Sequence, residues 1–317
     1  MVDFYKLSFD KIKSYKKNIK DVSVNNYLTN IRKISRELFN SEKPSIQYFR
    51  DFDSIKEYID KRIKNYASKK NLVTSIVVLL KAYSVDCKVI EKYSEYHKTL
   101  SKTHDDSYLD NEKTDKEQQN WISSKDIQEK FQFLEEQIKN KIGITKRKYA
   151  DLIQQYLVLC LYTKIPPIRN DYALSRVIND DNNLKCSENH FILGSEEFVL
   201  CKYKTDKFYG IKRVKIPEDV IVIIKKWEKI KKEIFGDKLD HDFLLINTTN
   251  LLPMKKNSLT KYINKIFYPK KVSTTILRKV YLSEKYPVTN TYREMQNDSY
   301  IMGHDISVAK KIYSKIL

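Results

Sequence analysis

The chain has 317 residues, 41% of them hydrophobic and 32% charged, with 60 Lys and Arg against 41 Asp and Glu and a formal net charge of +19. That length exceeds one typical compact domain and fits two. The excess of positive charge suits a partner with a dense row of negative charge, above all nucleic acid. The longest apolar runs, 76–80 and 220–224, are far too short to span a bilayer. No basic region followed by an apolar run marks a secretory signal. The four cysteines, Cys87, Cys160, Cys186 and Cys201, show no disulfide spacing, so free thiols in a reducing, intracellular setting are expected. Cys186, His190 and Cys201 lack the fourth ligand and the paired spacing of a zinc site.

Residues 8–19 form a lysine-rich lead-in without a clear pattern. From 23 to 39 the spacing predicts a helix, with Val24, Tyr27, Leu28, Ile31, Ile34 and Leu38 on one face and Ser23 as its cap. Ile55, Ile59, Ile63 and Tyr66 mark a second helix, 72–83 a more apolar central one, and 85–100 a fourth. Four helices with short connections predict a small bundle over residues 1–105. Its Arg32, Lys33, Arg36, Lys69, Lys70 and Lys81 offer a surface that can follow phosphates. Residues 106–120 are almost devoid of apolar side chains and read as a polar linker.

The second domain, 121–317, opens with Ser123 or Ser124 capping a helix that carries Ile127, Phe131 and Leu134. A buried-looking helix over 146–162 stops at Pro166 and Pro167. Strand-like runs come next at 190–193, 198–203 and 214–216, with Gly210 among them, predicting a hairpin or a three-stranded sheet. Further helices are expected over 217–234, 258–267 and 274–286, the last enclosing Arg278, with a short apolar run at 243–246 between the first two. The expected fold is therefore mainly α with a small β-sheet: a helical N-terminal domain and an α+β second domain.

Near the end stand Gly303-His304 and, nine residues on, Tyr313. One straight helix turns about 900° over nine residues and would set the two side chains on opposite faces. Ser307 offers the bend, since its hydroxyl can cap a short helix from Val308. His304 would then precede the helix and Tyr313 lie along it.

Taken in order, Pro-Pro-Ile-Arg169-Asn-Asp, Tyr-Lys204-Thr-Asp-Lys, Thr275-Ile-Leu-Arg278, Met-Gly-His304 and Ile-Tyr313 resemble the tyrosine recombinase (phage-integrase) family. Each motif alone is weak, but five in order on the expected element types are specific. The resemblance covers the second domain and, more loosely, the helical N-terminal domain, which looks like the family's core-binding, DNA-clamping domain. It implies a site-specific recombinase that cuts and rejoins double-stranded DNA through a 3′-phosphotyrosyl intermediate. No metal, ATP or other cofactor is implied, and a tetramer of the protein assembled on DNA is. Its location would be wherever the DNA substrate is, in nucleus, cytoplasm or viral factory. The compositional bias suggests a mobile element or virus of an AT-rich host.

The chemistry accounts for these residue types. Cleaving a phosphodiester without metal needs another source of positive charge for the non-bridging oxygens. Two guanidinium groups supply it, and by resemblance they are Arg169 and Arg278. His304 would donate to a phosphate oxygen or help deprotonate the nucleophile, Tyr313, whose phenol has an ordinary pKa near 10. Lys204, favoured over Lys202 and Lys207 of the same hairpin, would protonate the leaving 5′ oxygen.

Two positions depart from the family pattern. Thr275 stands where His or Lys is common, three residues before the second arginine, and can offer a hydroxyl but no charge. Asp171 stands two residues after Arg169 rather than three, where it can orient the arginine or cap the next helix. The sequence ends four residues after Tyr313, leaving little to donate to a neighbouring protomer; either it is truncated there or protomers are expected to associate through other surfaces. The rivals are a type IB topoisomerase, whose N-terminal portion is typically rich in strands, and a catalytically silent DNA-binding relative. A two-metal nuclease is disfavoured by the lack of clustered carboxylates.

Overall fold

The computed structural model describes residues 4–109, 112–140, 142–285, 291–294 and 296. They form two compact units: the first holds the described residues up to Glu112 together with 291–294 and 296, and the second holds those from Lys113 to Lys285. The fold is mainly helical with one small mixed sheet.

The first unit begins with α1 (Phe4–Tyr15), so the lysine-rich lead-in is a helix. It continues through α2 (Asp21–Phe39), α3 (Phe52–Arg62), α4 (Tyr66–Ala82) and α5 (Cys87–Asp106). The helix α2 starts two residues before Ser23, which therefore sits inside it, and ends at Asn40, held in the left-handed region at φ 48°. Tyr66, expected at the end of the second helix, instead begins α4. The reason is local: the Asn65 side chain accepts from the Ser68 N–H at 3.0 Å and caps a new helix there. The core runs along α4, whose Leu72, Val73, Ile76, Leu79 and Leu80 are buried against α1, α2 and α5.

The second unit opens within the polar stretch, where Asp115–Asn120 forms α6 behind a Thr114–Glu117 capping box. Ser123, paired with Asp126 in another such box, caps α7 (Ser124–Lys139). At the centre lies α8 (Lys146–Thr163), apolar nearly all round and packed by α7 on one side. Of its two buried amides, Gln154 exchanges hydrogen bonds with the Ile246 backbone, at 2.9 Å to the carbonyl and 2.8 Å from the N–H, and Gln155 donates to Asp151 at 2.9 Å.

The sheet has four strands: β1 (Arg176–Ile178), β2 (His190–Ile192), β3 (Glu197–Leu200) and β4 (Lys212–Lys215), in that order. β1 is parallel to β2, and the other pairs are antiparallel. The three strand runs expected from sequence are β2, β3 and β4, which pair in order as an antiparallel three-stranded sheet, and the parallel strand β1 is an addition. Alternation gives the sheet two faces. Val177, Phe191, Phe198 and Leu200 join the main core, whereas Ile178, Ile192, Val199 and Cys201 form a small separate cluster with Leu184. A one-turn helix, α9 (Asp206–Tyr209), lies within the β3–β4 connection. The remaining helices are α10 (Glu218–Phe235), α11 (Lys256–Ile266) and α12 (Thr274–Lys285). All three pack on α8. Trp227 on α10 is fully buried, its indole N–H donating to the Leu244 carbonyl at 2.7 Å. No described helix is long and apolar enough to cross a membrane.

Candidate active site

Arg169 leaves α8 on the segment that Pro166 and Pro167 force out of the helix. Its backbone is clamped from two sides. The Tyr162 hydroxyl donates to the Arg169 carbonyl at 2.9 Å, and a 3₁₀ turn, Asn170–Tyr172, begins at the next residue. Asn170 docks that turn on α11, donating to Thr260 Oγ1 at 2.8 Å and to the Lys256 carbonyl at 3.2 Å. Tyr172 is buried edge-on against Tyr162, ring centroids 5.3 Å apart. Burial above all, then the nearby Asp171 carboxylate, pushes the Tyr162 phenol well above its usual range, so it stays a neutral donor to this carbonyl. The Arg169 side chain itself is exposed. No described side chain or backbone atom makes an ion pair or hydrogen bond with its guanidinium.

Asp171 is buried, and its carboxylate accepts from Lys256 Nζ at 2.9 Å. Its described partner is thus a lysine of α11 and not Arg169. The Asp171 carbonyl accepts from Ser175 Oγ and from Asn189 Nδ2, both at 3.0 Å.

Lys204 is exposed in the Cys201–Ile211 connection of the β3–β4 hairpin. This is no tight tip: the connection holds α9 and is closed by Gly210, whose φ of 63° favours glycine and whose N–H donates to the Asp206 carbonyl at 2.8 Å. Lys202 and Lys207 are exposed on the same loop. Lys212 lies over the rings of Tyr209 and Tyr203, at 4.5 and 5.2 Å. Phe208, Tyr209 and Ile211 are all exposed, Phe208 to 86%.

The base of this loop is held by Asn189, a residue no motif singled out. The residue is 6% exposed and its amide makes four hydrogen bonds. Oδ1 accepts from the N–H groups of Cys201 (3.0 Å) and Lys202 (2.8 Å). Nδ2 donates to the carbonyls of Lys202 (3.0 Å) and Asp171 (3.0 Å). One side chain therefore ties the backbone two residues after Arg169 to the backbone two residues before Lys204. A buried amide with donors and acceptors all used fixes both segments to a single arrangement.

Arg278 and Thr275 lie three residues apart on α12, hence on neighbouring positions of one face. The Ser273 hydroxyl accepts from the Ile276 N–H at 3.3 Å at the start of this helix. Ile276, Leu277 and Val280 are buried, Thr275 is exposed and Arg278 is half-buried. The adjacent Lys279 engages Glu117 of α6. Burial works to raise the Glu117 carboxyl, but the Lys279 ammonium and the Thr114 N–H together hold it below its usual range. Arg278 has no described acidic partner.

That separates the arginines of this unit. Arg176 is held between Glu188 and Asp242, and Arg213 between Asp181 (2.7 Å) and Glu197 (2.9 Å). Arg169 and Arg278, the two assigned to phosphate, are among those without an anion among the described residues, as is Arg147 at the start of α8. His304 and Tyr313 lie outside the described residues. His190 Nε2 meets the Lys185 carbonyl at 2.8 Å, which occupies that ring nitrogen in the sheet.

No protein-family model and no curated protein sequence matches the chain. Among solved structures, the crystal structure of XerA recombinase matches over 98% of this chain and 94% of its own, at 11% sequence identity and a TM-score of 0.36.

Proposed function

We propose that the protein is a tyrosine-type DNA strand transferase, a site-specific recombinase acting on double-stranded DNA. The observation that carries this reading is Arg278: a half-buried arginine one helical turn from Thr275, with no carboxylate opposite it among the described residues. A charged group partly withdrawn from water normally has a partner. Here the partner is a phosphate of the substrate. Arg169, its backbone fixed and its side chain exposed, supplies the second guanidinium.

In the reaction Tyr313 attacks phosphorus and the bond to the 5′ oxygen breaks. Lys204 gives that oxygen its proton, leaving a free 5′-hydroxyl and a 3′-phosphotyrosyl link. Arg169, Arg278 and His304 hold the phosphoryl oxygens as charge builds on them, and Thr275 adds a hydroxyl contact. Reversal with another strand's 5′-hydroxyl joins it without ATP, because the link retains the bond energy. Exchange between two sites calls for a tetramer on DNA. The helical first unit favours this reading over a topoisomerase. The lysines and exposed aromatic rings of the Lys204 loop suit a nucleic-acid backbone and bases better than a small substrate.

The test is incubation of the full chain with supercoiled plasmid and with paired labelled fragments, in EDTA. Joined fragments support the recombinase. Relaxation alone, by monomer, supports the topoisomerase. Binding with neither product supports the silent relative, and Thr275→His then becomes the variant to assay.

A further inference from the structure

The smaller face of the sheet ends in a pair of thiols. Cys201 directly succeeds β3 and packs with Ile178, Ile192 and Val199. Its Sγ lies 3.4 Å from Cys186 Sγ and donates a hydrogen bond to it. Cys186 sits on a turn ahead of β2, and the antiparallel register, His190 opposite Val199, carries the two chain segments side by side. The two thiols differ: Cys186 is exposed and Cys201 buried. Burial first, then the bond to Cys186, push the Cys201 thiol up to about 11 against the opposing charges of Lys202 and Arg213. Cys201 is thus kept as a thiol, while Cys186 meets the solvent. The other two cysteines have no such neighbour among the described residues. Cys160 is buried in α8 and Cys87 is exposed at the start of α5.

We propose that Cys186 and Cys201 form a peroxide-sensitive dithiol, a modification site at the base of the Lys204 loop. The Cys186 thiolate attacks one peroxide oxygen; an S–O bond forms as the O–O bond breaks, giving a sulfenic acid and water or an alcohol. Cys201 sulfur then attacks Cys186 sulfur, the S–S bond forms as the S–O bond breaks, and water leaves with the Cys201 proton. The two thiols together give up two electrons and the peroxide accepts them. Closing the bridge needs the sulfurs to approach from 3.4 Å to about 2.05 Å, a movement of about 1.4 Å within reach of a side-chain rotation on an exposed turn. The bridge links the turn before β2 to the residue that opens the loop, three positions before Lys204. It therefore adds a covalent tie where Asn189 already holds the backbone by hydrogen bonds. This site does not depend on the strand-transfer reading.

The experiment treats the full chain with a small excess of hydrogen peroxide, blocks remaining thiols, and maps peptides by mass spectrometry without reduction. The expected result is a Cys186–Cys201 cross-linked peptide about 2 Da lighter than its two parts, lost on adding dithiothreitol, with two of four thiols consumed. Cys201→Ser should leave Cys186 as a sulfenic acid that dimedone captures, and Cys186→Ser should leave Cys201 a thiol. Oxidation of Cys87 while both Cys186 and Cys201 stay reduced in the wild-type chain would overturn the proposal. So would a Cys186 link to a second chain in place of Cys201.

Discussion

Replacing Asn189 by alanine tests whether one buried amide holds the two segments that present Arg169 and Lys204. The loss can be worked from its four bonds. The Asp171 carbonyl keeps Ser175 Oγ as a donor, so it loses little. The Cys201 and Lys202 N–H groups each lose the acceptor they had, at 3.0 and 2.8 Å, and the Lys202 carbonyl loses its donor. Each buried group left unpaired costs about 1–3 kcal/mol, less where water enters, so the variant should lose about 3 kcal/mol of stability. Both tryptophans, Trp121 and Trp227, belong to the second unit, so urea unfolding monitored by their fluorescence reads that unit alone. The exposed Asn182→Ala is the control and should change stability by under about 0.5 kcal/mol. Asn189→Asp sets a carboxylate against the Asp171 and Lys202 carbonyls. It should be worse than alanine at neutral pH and recover as pH falls and the carboxyl takes up a proton. A loss below about 1 kcal/mol for Asn189→Ala, with an unchanged m-value, would refute the argument that this amide organises the site.

Two further outcomes are expected. Arg278→Ala should leave DNA affinity within a few-fold yet slow strand cleavage by about 10²–10³, measured as adduct formation under single turnover, whereas Arg147→Ala should leave cleavage unchanged. In the first unit, burial works to raise the Asp60 carboxyl, but the Tyr96 hydroxyl at 2.6 Å and Lys56 and Lys69, each at 3.0 Å, bring it down to about 2. A carboxyl lower in the folded than in the unfolded chain stabilises above the unfolded value near 3.9. That contribution is lost as pH falls toward 2. The stability gap between wild type and Asp60→Asn should therefore be present at pH 6 and shrink by pH 3 in urea unfolding monitored by circular dichroism. The side chain is 37% exposed, so solvent screening keeps the gap modest.

Much of the fold is legible in the sequence because burial imposes a period. The spacing of Val24, Leu28, Ile31 and Ile34 marks α2, and the unbroken apolar run near Leu157 marks α8. The elements that escape such a reading depend on local chemistry that hydropathy does not carry. The break between α3 and α4 depends on one asparagine cap. α6 is a helix with no buried residue, set by a capping box rather than by an apolar stripe. β1 is three residues long and parallel, so no turn signal announces its partner. At the site, the arginines and the lysine are legible as motif residues. Asn189 is not, because one asparagine among many polar residues shows its worth only when its four partners are in place. Asp171 is expected from sequence to orient Arg169 or cap a helix, and the lysine it meets instead stands 85 residues away.

In the proposed reaction a tyrosine, Tyr313, becomes bonded to DNA. The most direct measurement is nuclease digestion of the complex formed in EDTA, and then mass spectrometry of the attached peptide. The expected product is a nucleotide joined through its 3′-phosphate to Tyr313, absent from the Tyr313→Phe variant. An adduct on another residue, or one that persists in Tyr313→Phe, would contradict it.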